Sequence, residues 1–244
     1  MNRARAIVFA LAFYLGTTVF ALGIGVIVWL LLPRAAVAAV RLWARAMLAA
    51  ATVILGIKVR VSGREHLPAG PALIASQHRS AFDTLIWFML VPMPSYVMKR
   101  ELIRIPVFGQ VARAAGMIAV DRAGGSGAMR ALLAAVRAAI AADRQVVIFP
   151  EGTRVRAGQH VAPQPGIVAL ATATGLPVIP VATDSGRCWG RGLFDKHAGT
   201  IHIAIGPPIP PGLRREALLG ALTTAWEGLE PGLSAPAGTG DPCG

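Results

Sequence analysis

The sequence predicts an α/β domain, a layered fold with a largely parallel or mixed sheet flanked by helices, behind an N-terminal two-helix membrane anchor. Three observations predict it. Strand-like runs alternate with helical stretches from residue 58 onward, an uncharged apolar run fills the N-terminus, and basic residues crowd around that run. Strand–helix alternation is the mark of parallel sheets, whose crossovers are usually helices.

The anchor comes first in the chain. Ala6 to Leu32 is an uncharged run of 27 residues, about 40 Å as a helix and enough to cross a hydrocarbon core of about 30 Å. A cleaved signal sequence would use a shorter apolar region. A second uncharged run, Ala46 to Ile57, would span only about 18 Å, and Arg41 and Arg45 precede it on one helix face. The segment from Ala35 onward therefore reads as an amphipathic helix at the membrane interface. A hairpin keeps Arg3, Arg5, Arg34, Arg41 and Arg45 on one side and is preferred to a single span, which would carry Arg3 and Arg5 across. The expected division is 1–57 anchor, 58–230 folded domain and 231–244 a disordered tail rich in Pro and Gly.

Strands are expected near 58–62, 71–76, 94–98, 116–120, 145–149, 177–182 and 200–205. Helices are expected near 81–91, 107–114, 128–142, 165–174 and 213–228. Ligands in such folds gather where loops leave the strand ends.

Chemistry concentrates in two of those loops. His78 and Asp83 stand five residues apart in Ser76-Gln77-His78-Arg79-Ser80-Ala81-Phe82-Asp83. A carboxylate bonded to one imidazole nitrogen fixes the tautomer and leaves the other nitrogen to take a proton from a substrate hydroxyl. Positions i and i+5 face different ways on a helix, so His78 is expected to precede the helix, with Ser80 as its N-cap. Downstream, Phe149-Pro150-Glu151-Gly152-Thr153-Arg154 breaks out of a β-branched run. Gly152 permits close backbone approach, and Arg154 offers a planar fork suited to phosphate. Lys99 follows another extended run, and Gly116 to Arg122 is a strand ending in Asp121-Arg122.

The order His78…Asp83, Gly116 to Arg122, Phe149 to Arg154 and Val178-Ile179-Pro180-Val181 resembles the four blocks of the glycerolipid acyltransferase family, in particular its bacterial 1-acylglycerol-3-phosphate O-acyltransferases. The resemblance covers roughly residues 55–215, and Lys99 to Gly109 is similar to a further family segment. It implies His78 as general base with Asp83 as its partner, and Lys99, Arg122 and Arg154 as substrate phosphate-binding cations. It also implies an acceptor-binding turn of Glu151, Gly152 and Thr153. The implied reaction acylates the sn-2 hydroxyl of lysophosphatidic acid to give phosphatidic acid, a step of phospholipid biosynthesis. Acyl-CoA or acyl carrier protein would be the co-substrate, with no cofactor and no metal, at the cytoplasmic face of the inner membrane. Family members often carry Asn or Lys before the histidine and Gln after it, where this chain has Gln77 and Arg79.

Composition bounds the alternatives. Of the net charge of +12, +8 falls within residues 1–64, where eight basic residues stand without an acid. That places the basic patch beside the apolar anchor, where it favours anionic membrane lipid. Nucleic acid is not an expected partner, because no stacking platform or zinc pattern accompanies the charge. Cys188 and Cys243 are too few and too far apart for a metal cluster or a disulfide framework. The competing readings are an acyltransferase acting on another lysolipid, such as a lyso-ornithine lipid or a lysophospholipid, and a non-catalytic membrane adaptor.

Overall fold

The computed structural model describes residues 3–121, 125–156 and 159–234. Its centre is a seven-stranded sheet of β1 (Ile57–Ser62), β2 (Ala72–Ser76), β3 (Pro94–Lys99), β4 (Ile118–Val120), β5 (Gln145–Ile148), β6 (Val178–Thr183) and β7 (Gly199–Ile205). The order is β1-β7-β6-β2-β5-β3-β4. Every neighbouring pair is parallel except β6 and β7, so the sheet is mixed, with a single reversal.

Residues of β2 show why these runs become strands. All five are buried, and their side chains alternate between two cores: Ala72 and Ile74 join one, Leu73 and Ala75 the other. A strand covered on both faces must read as a continuous apolar run, which is the pattern of Ala72 to Ala75. The first core lies under α4 (Phe82–Leu90) and the N-terminal helices; the second lies under α6 (Gly125–Ala141), α7 (Gly166–Thr174) and α9 (Arg215–Ser234). Helix α6 begins three residues before the expected 128, since the first amides of a helix are unbonded and glycine costs little there.

The N-terminal segment is an antiparallel helical hairpin. Helix α1 (Arg3–Phe20) passes through a π turn, Ala21–Gly25, into α2 (Val26–Leu30), and a 3-10 turn at Pro33–Ala35 leads into α3 (Ala36–Ala50) and a second π turn, Ala51–Leu55. Arg3–Leu30 and Pro33–Leu55 are each long and apolar enough to cross a membrane. Trp43 donates its indole N–H to Thr17 Oγ1 (3.2 Å), pinning the helices together. The outer face leaves Leu11, Leu15, Val19 and Leu22 exposed. On the inner face Phe9 meets Trp189 edge-on, with 5.0 Å between ring centroids. Arg41, expected at the membrane interface, instead reaches the carboxyl end of α4, where it donates to the carbonyls of Phe88 (2.9 Å), Val91 (3.3 Å) and Pro92. Carbonyls left open by a helix end accept hydrogen bonds from a nearby cation, whose charge the helix dipole favours there.

The reversal at β6 and β7 decides where the helical hairpin enters the domain. Gly56, in the left-handed region at φ 73°, ends the hairpin and starts β1. Because β1 runs opposite to β2, its first residue lies on the edge where β6, β2, β5, β3 and β4 end. Hairpin and strand-end loops thus share one side of the sheet.

Candidate active site

Strand β2 ends at Ser76 and α4 starts at Phe82, and His78 stands in the turn between them as the spacing requires. Asp83 organises that turn. Its Oδ2 accepts the backbone N–H groups of Arg79 (2.7 Å) and Ser80 (2.8 Å) and lies 3.3 Å from His78 Nδ1. Ser80 is one residue too early to be the N-cap of α4, although its hydroxyl still accepts the Phe82 N–H at 3.2 Å. An ionised carboxylate only accepts, so the pair selects the imidazole tautomer with its proton on Nδ1 and leaves Nε2 as the basic nitrogen. The ring stacks on Phe149, centroids 4.2 Å apart.

The turn after β5 clasps this one from behind. Glu151 Oε2 accepts the backbone N–H of His78 at 2.6 Å, and Val155 donates its N–H to the His78 carbonyl at 2.8 Å. Glu151 is 4% exposed, so this member of the expected acceptor-binding turn braces the histidine rather than lining the cavity. Burial pushes its carboxyl up to about 7, against the pull of the His78 amide and Arg79 and with the push of Asp83 and Glu230. Gly152 carries the turn at φ 74°, a conformation that other residues adopt with strain.

Arg79 and Gln77, the two departures from the family pattern, join a buried network that sequence reading missed. Arg79 faces Glu151 (3.7 Å) and Glu230 of α9 (3.6 Å) and donates to the Gln159 carbonyl (2.8 Å). Gln77 donates to Glu230 Oε1 (3.1 Å) and accepts the Thr183 N–H (3.2 Å). Two polar residues on either side of His78 were the available signal; their main partner is 153 positions away from Gln77.

His78 opens onto a cavity of about 1000 Å³ between the hairpin and the domain. One wall is helical, with Phe20, Leu22 and Gly25 around the first π turn, and the opposite wall includes Leu85 and Phe88 of α4 and Val111 of α5 (Phe108–Ala114). Lys99, Gly152, Thr153 and Arg154 line the same space, so the structure gathers these expected residues around His78. Arg122 lies outside the described residues. Arg191, which nothing in the sequence singled out, joins the lining. Tyr96 lines it too; burial, reinforced by the charge of Asp83, raises its pKa, so its hydroxyl keeps its proton.

Other groups are less suited to chemistry. Among the described residues, no three His, Cys, Asp or Glu side chains are grouped to hold a metal ion. Cys188 is buried, and burial together with Asp184 raises its pKa, opposite to what a thiolate nucleophile needs. Cys243 lies outside the described residues.

Comparison with known proteins agrees with this arrangement. The family model described as Acyltransferase matches residues 58–184, which contain both clasped turns. A 1-acyl-sn-glycerol-3-phosphate acyltransferase of Pseudomonas aeruginosa is 35% identical over 187 residues, covering 75% of this chain and 73% of that protein. A relative of the same name from Limnanthes douglasii is 32% identical over 158 residues, 64% of this chain but only 56% of the plant protein. The crystal structure of the 1-acyl-sn-glycerophosphate acyltransferase of Thermotoga maritima shares the fold, with a TM-score of 0.76 at 20% identity over 97% of this chain and 100% of that one. The family match over half the chain and the close bacterial relative lead to one conclusion: this chain belongs to the Acyltransferase family.

Proposed function

We propose that this protein transfers an acyl chain from a thioester donor to the sn-2 hydroxyl of 1-acylglycerol-3-phosphate, giving phosphatidic acid. The observation that carries the reading is the placement of the His78–Asp83 pair on an apolar cavity whose lining also holds Lys99 and Arg154. Such a space suits a molecule with a hydrocarbon tail, a hydroxyl and a phosphate. It is also the activity for which the Pseudomonas and Limnanthes relatives are named.

In the proposed mechanism His78 Nε2 takes the hydroxyl proton as the oxygen attacks the thioester carbonyl. Asp83 holds the ring and stabilises the imidazolium that forms. The tetrahedral intermediate collapses by breaking the C–S bond, the thiolate takes the proton from His78, and no acyl-enzyme forms. Lys99 and Arg154 hold the phosphate, with Arg122 as a further cation and Gly152 and Thr153 as the turn against the acceptor. The donor is acyl-CoA or acyl carrier protein. Residues 1–57 anchor the chain in the inner membrane, and the catalytic domain, 58–230, faces the cytoplasm.

The test is thiol release from oleoyl-CoA by the purified full chain, with lysophosphatidic acid and lyso-ornithine lipid as alternative acceptors and His78→Ala as control. Turnover with lysophosphatidic acid that the mutation abolishes is expected. Preference for the phosphate-free lipid would move the protein to another lysolipid, and vesicle binding without turnover of oleoyl-CoA or, in a repeat, of oleoyl-acyl carrier protein would leave a membrane adaptor.

A further inference from the structure

Five parallel strands end on the catalytic edge, in the spatial order β6, β2, β5, β3, β4. The loop after β2 carries His78, the loop after β5 carries Arg154, and Lys99 closes β3. On the far side of His78 from Arg154, the chain leaving β6 makes the short helix α8 (Ser185–Cys188) and then a tight loop spanning 189–196. Arg191 sits in that loop and lines the same cavity as His78 and Arg154.

The loop is built to hold a fixed shape. Trp189 and Lys196 pair across its base, Gly190 donates its N–H to the Asp195 carbonyl (2.8 Å), and Asp195 donates to Gly192 (3.2 Å). Lys196 is buried, and its ammonium group donates to the carbonyls of Gly192 (2.7 Å) and Gly190 (3.1 Å), so its charge holds the loop from inside. Trp189 ties the loop to the anchor through Phe9 and Phe13. Burial lowers the Lys196 pKa, Asp195 works against that, and Arg154 adds a smaller lowering, so the Arg154 charge bears on the base of this loop. Among the described residues, neither the Arg154 nor the Arg191 guanidinium has a hydrogen-bond or ion-pair partner. Arg154 and Arg191 are both exposed and line one cavity, where an anionic group can pair with each.

We propose that Arg191 is an additional phosphate-binding arginine, which holds the ligand phosphate from the β6 side while Arg154 holds it from the β5 side. This rests on the acyltransferase reading and deepens it by naming a binding residue. Phosphate can enter this space on the lysolipid acceptor or on the nucleotide arm of a coenzyme A donor, and the recognition chemistry is the same.

The experiment separates the two sources. KM for lysophosphatidic acid and for oleoyl-CoA is measured in the full chain and in Arg191→Gln, Arg191→Lys and Arg187→Gln, the last removing an equal charge from the exposed face of α8. Arg191→Gln should raise one of these KM values about tenfold or more, as expected for a charge-assisted bond. Arg191→Lys should fall between it and wild type, and Arg187→Gln should change neither. A rise confined to the acceptor assigns the clamp to the lysolipid phosphate, and a rise confined to the donor assigns it to the coenzyme. Unchanged KM values, or an equal effect of Arg187→Gln, would overturn the proposal. Should wild type release no thiol at all, the acyltransferase reading fails by itself. Direct binding of lysophosphatidic acid and of coenzyme A would then still test the clamp, with a tenfold loss for one of them in Arg191→Gln expected and unchanged affinity for both overturning it.

Discussion

The carboxyl group of Glu151 and the backbone N–H of His78 meet at 2.6 Å, so Glu151 sets the height of the His78 ring through the main chain, while Phe149 of the same turn stacks on the ring itself. The bond is made to the main chain, and it therefore survives any change in the protonation of the imidazole.

The raised pKa of Glu151 makes this contact pH-dependent. Its carboxyl titrates near 7 in the folded protein against an ordinary value of 4.5, so the native state holds the extra proton between those limits. Stability from this group is complete below about 4.5 and is lost as pH rises through about 7. Relative to Glu151→Gln, which does not titrate, wild type should lose about 2 kcal/mol between pH 5 and pH 8. Thermal unfolding of both proteins at the two pH values measures it; a constant difference would show that Glu151 is ionised throughout.

His78 and Asp83 separate chemistry from architecture. His78→Ala removes a ring that stacks on Phe149 but supports no backbone, so activity should fall by about 10²–10⁴ with little change in Tm. Asp83→Ala also strips the partner from two buried amides, those of Arg79 and Ser80, and should cost a further few kcal/mol of stability, about 2–4. Equal Tm values for the two variants would remove Asp83 from its structural role.

Arg41 and Arg45 carry the same charge one helical turn apart, yet only Arg41 reaches the end of α4. Arg41→Ala should lower stability by about 1–3 kcal/mol in detergent, where no anionic lipid is present. Arg45→Ala should have a negligible effect there. Both should weaken binding to anionic vesicles to a similar, smaller degree.

Ala112 lies buried in the cavity lining. Ala112→Leu adds three carbon atoms to that wall, and any methylene it excludes forfeits about 0.8 kcal/mol, roughly fourfold in KM. The longest acyl chains should suffer most, so the ratio of activity on long and short substrates is the readout. A uniform loss across chain lengths would mean that Ala112 does not face the acyl chain.

Sequence made the sheet legible because its central strands are covered on both faces. Ala72 to Ser76 and Val178 to Thr183 have no polar alternation to confuse with a helix stripe. The His78–Asp83 pair was legible because its geometry is local. Arg41, by contrast, looked like an interfacial cation, since a single run of residues says nothing about a carboxyl end 47 positions away. Arg79 and Glu230 pair across an even longer separation, and the role of each depends on how α9 returns to β2. Arg191 stands in a short loop of ordinary composition, and only the strand order brings it to the cavity that His78 also lines. The apolar run Ala6 to Leu32 gave no sign of the π turn within it, Ala21–Gly25, or that this turn would border the cavity.

The antiparallel junction of β6 and β7 has a kinetic consequence on the proposed reading. With the hairpin forming one wall of the cavity, a lysolipid can enter from the side while its chain stays among other chains. Extraction into water would add about 0.8 kcal/mol per methylene, a barrier exceeding 10 kcal/mol for a chain of about sixteen carbons. By lateral entry the acceptor avoids that barrier, its search is confined to the plane of the membrane, and only the donor's headgroup must arrive from solution.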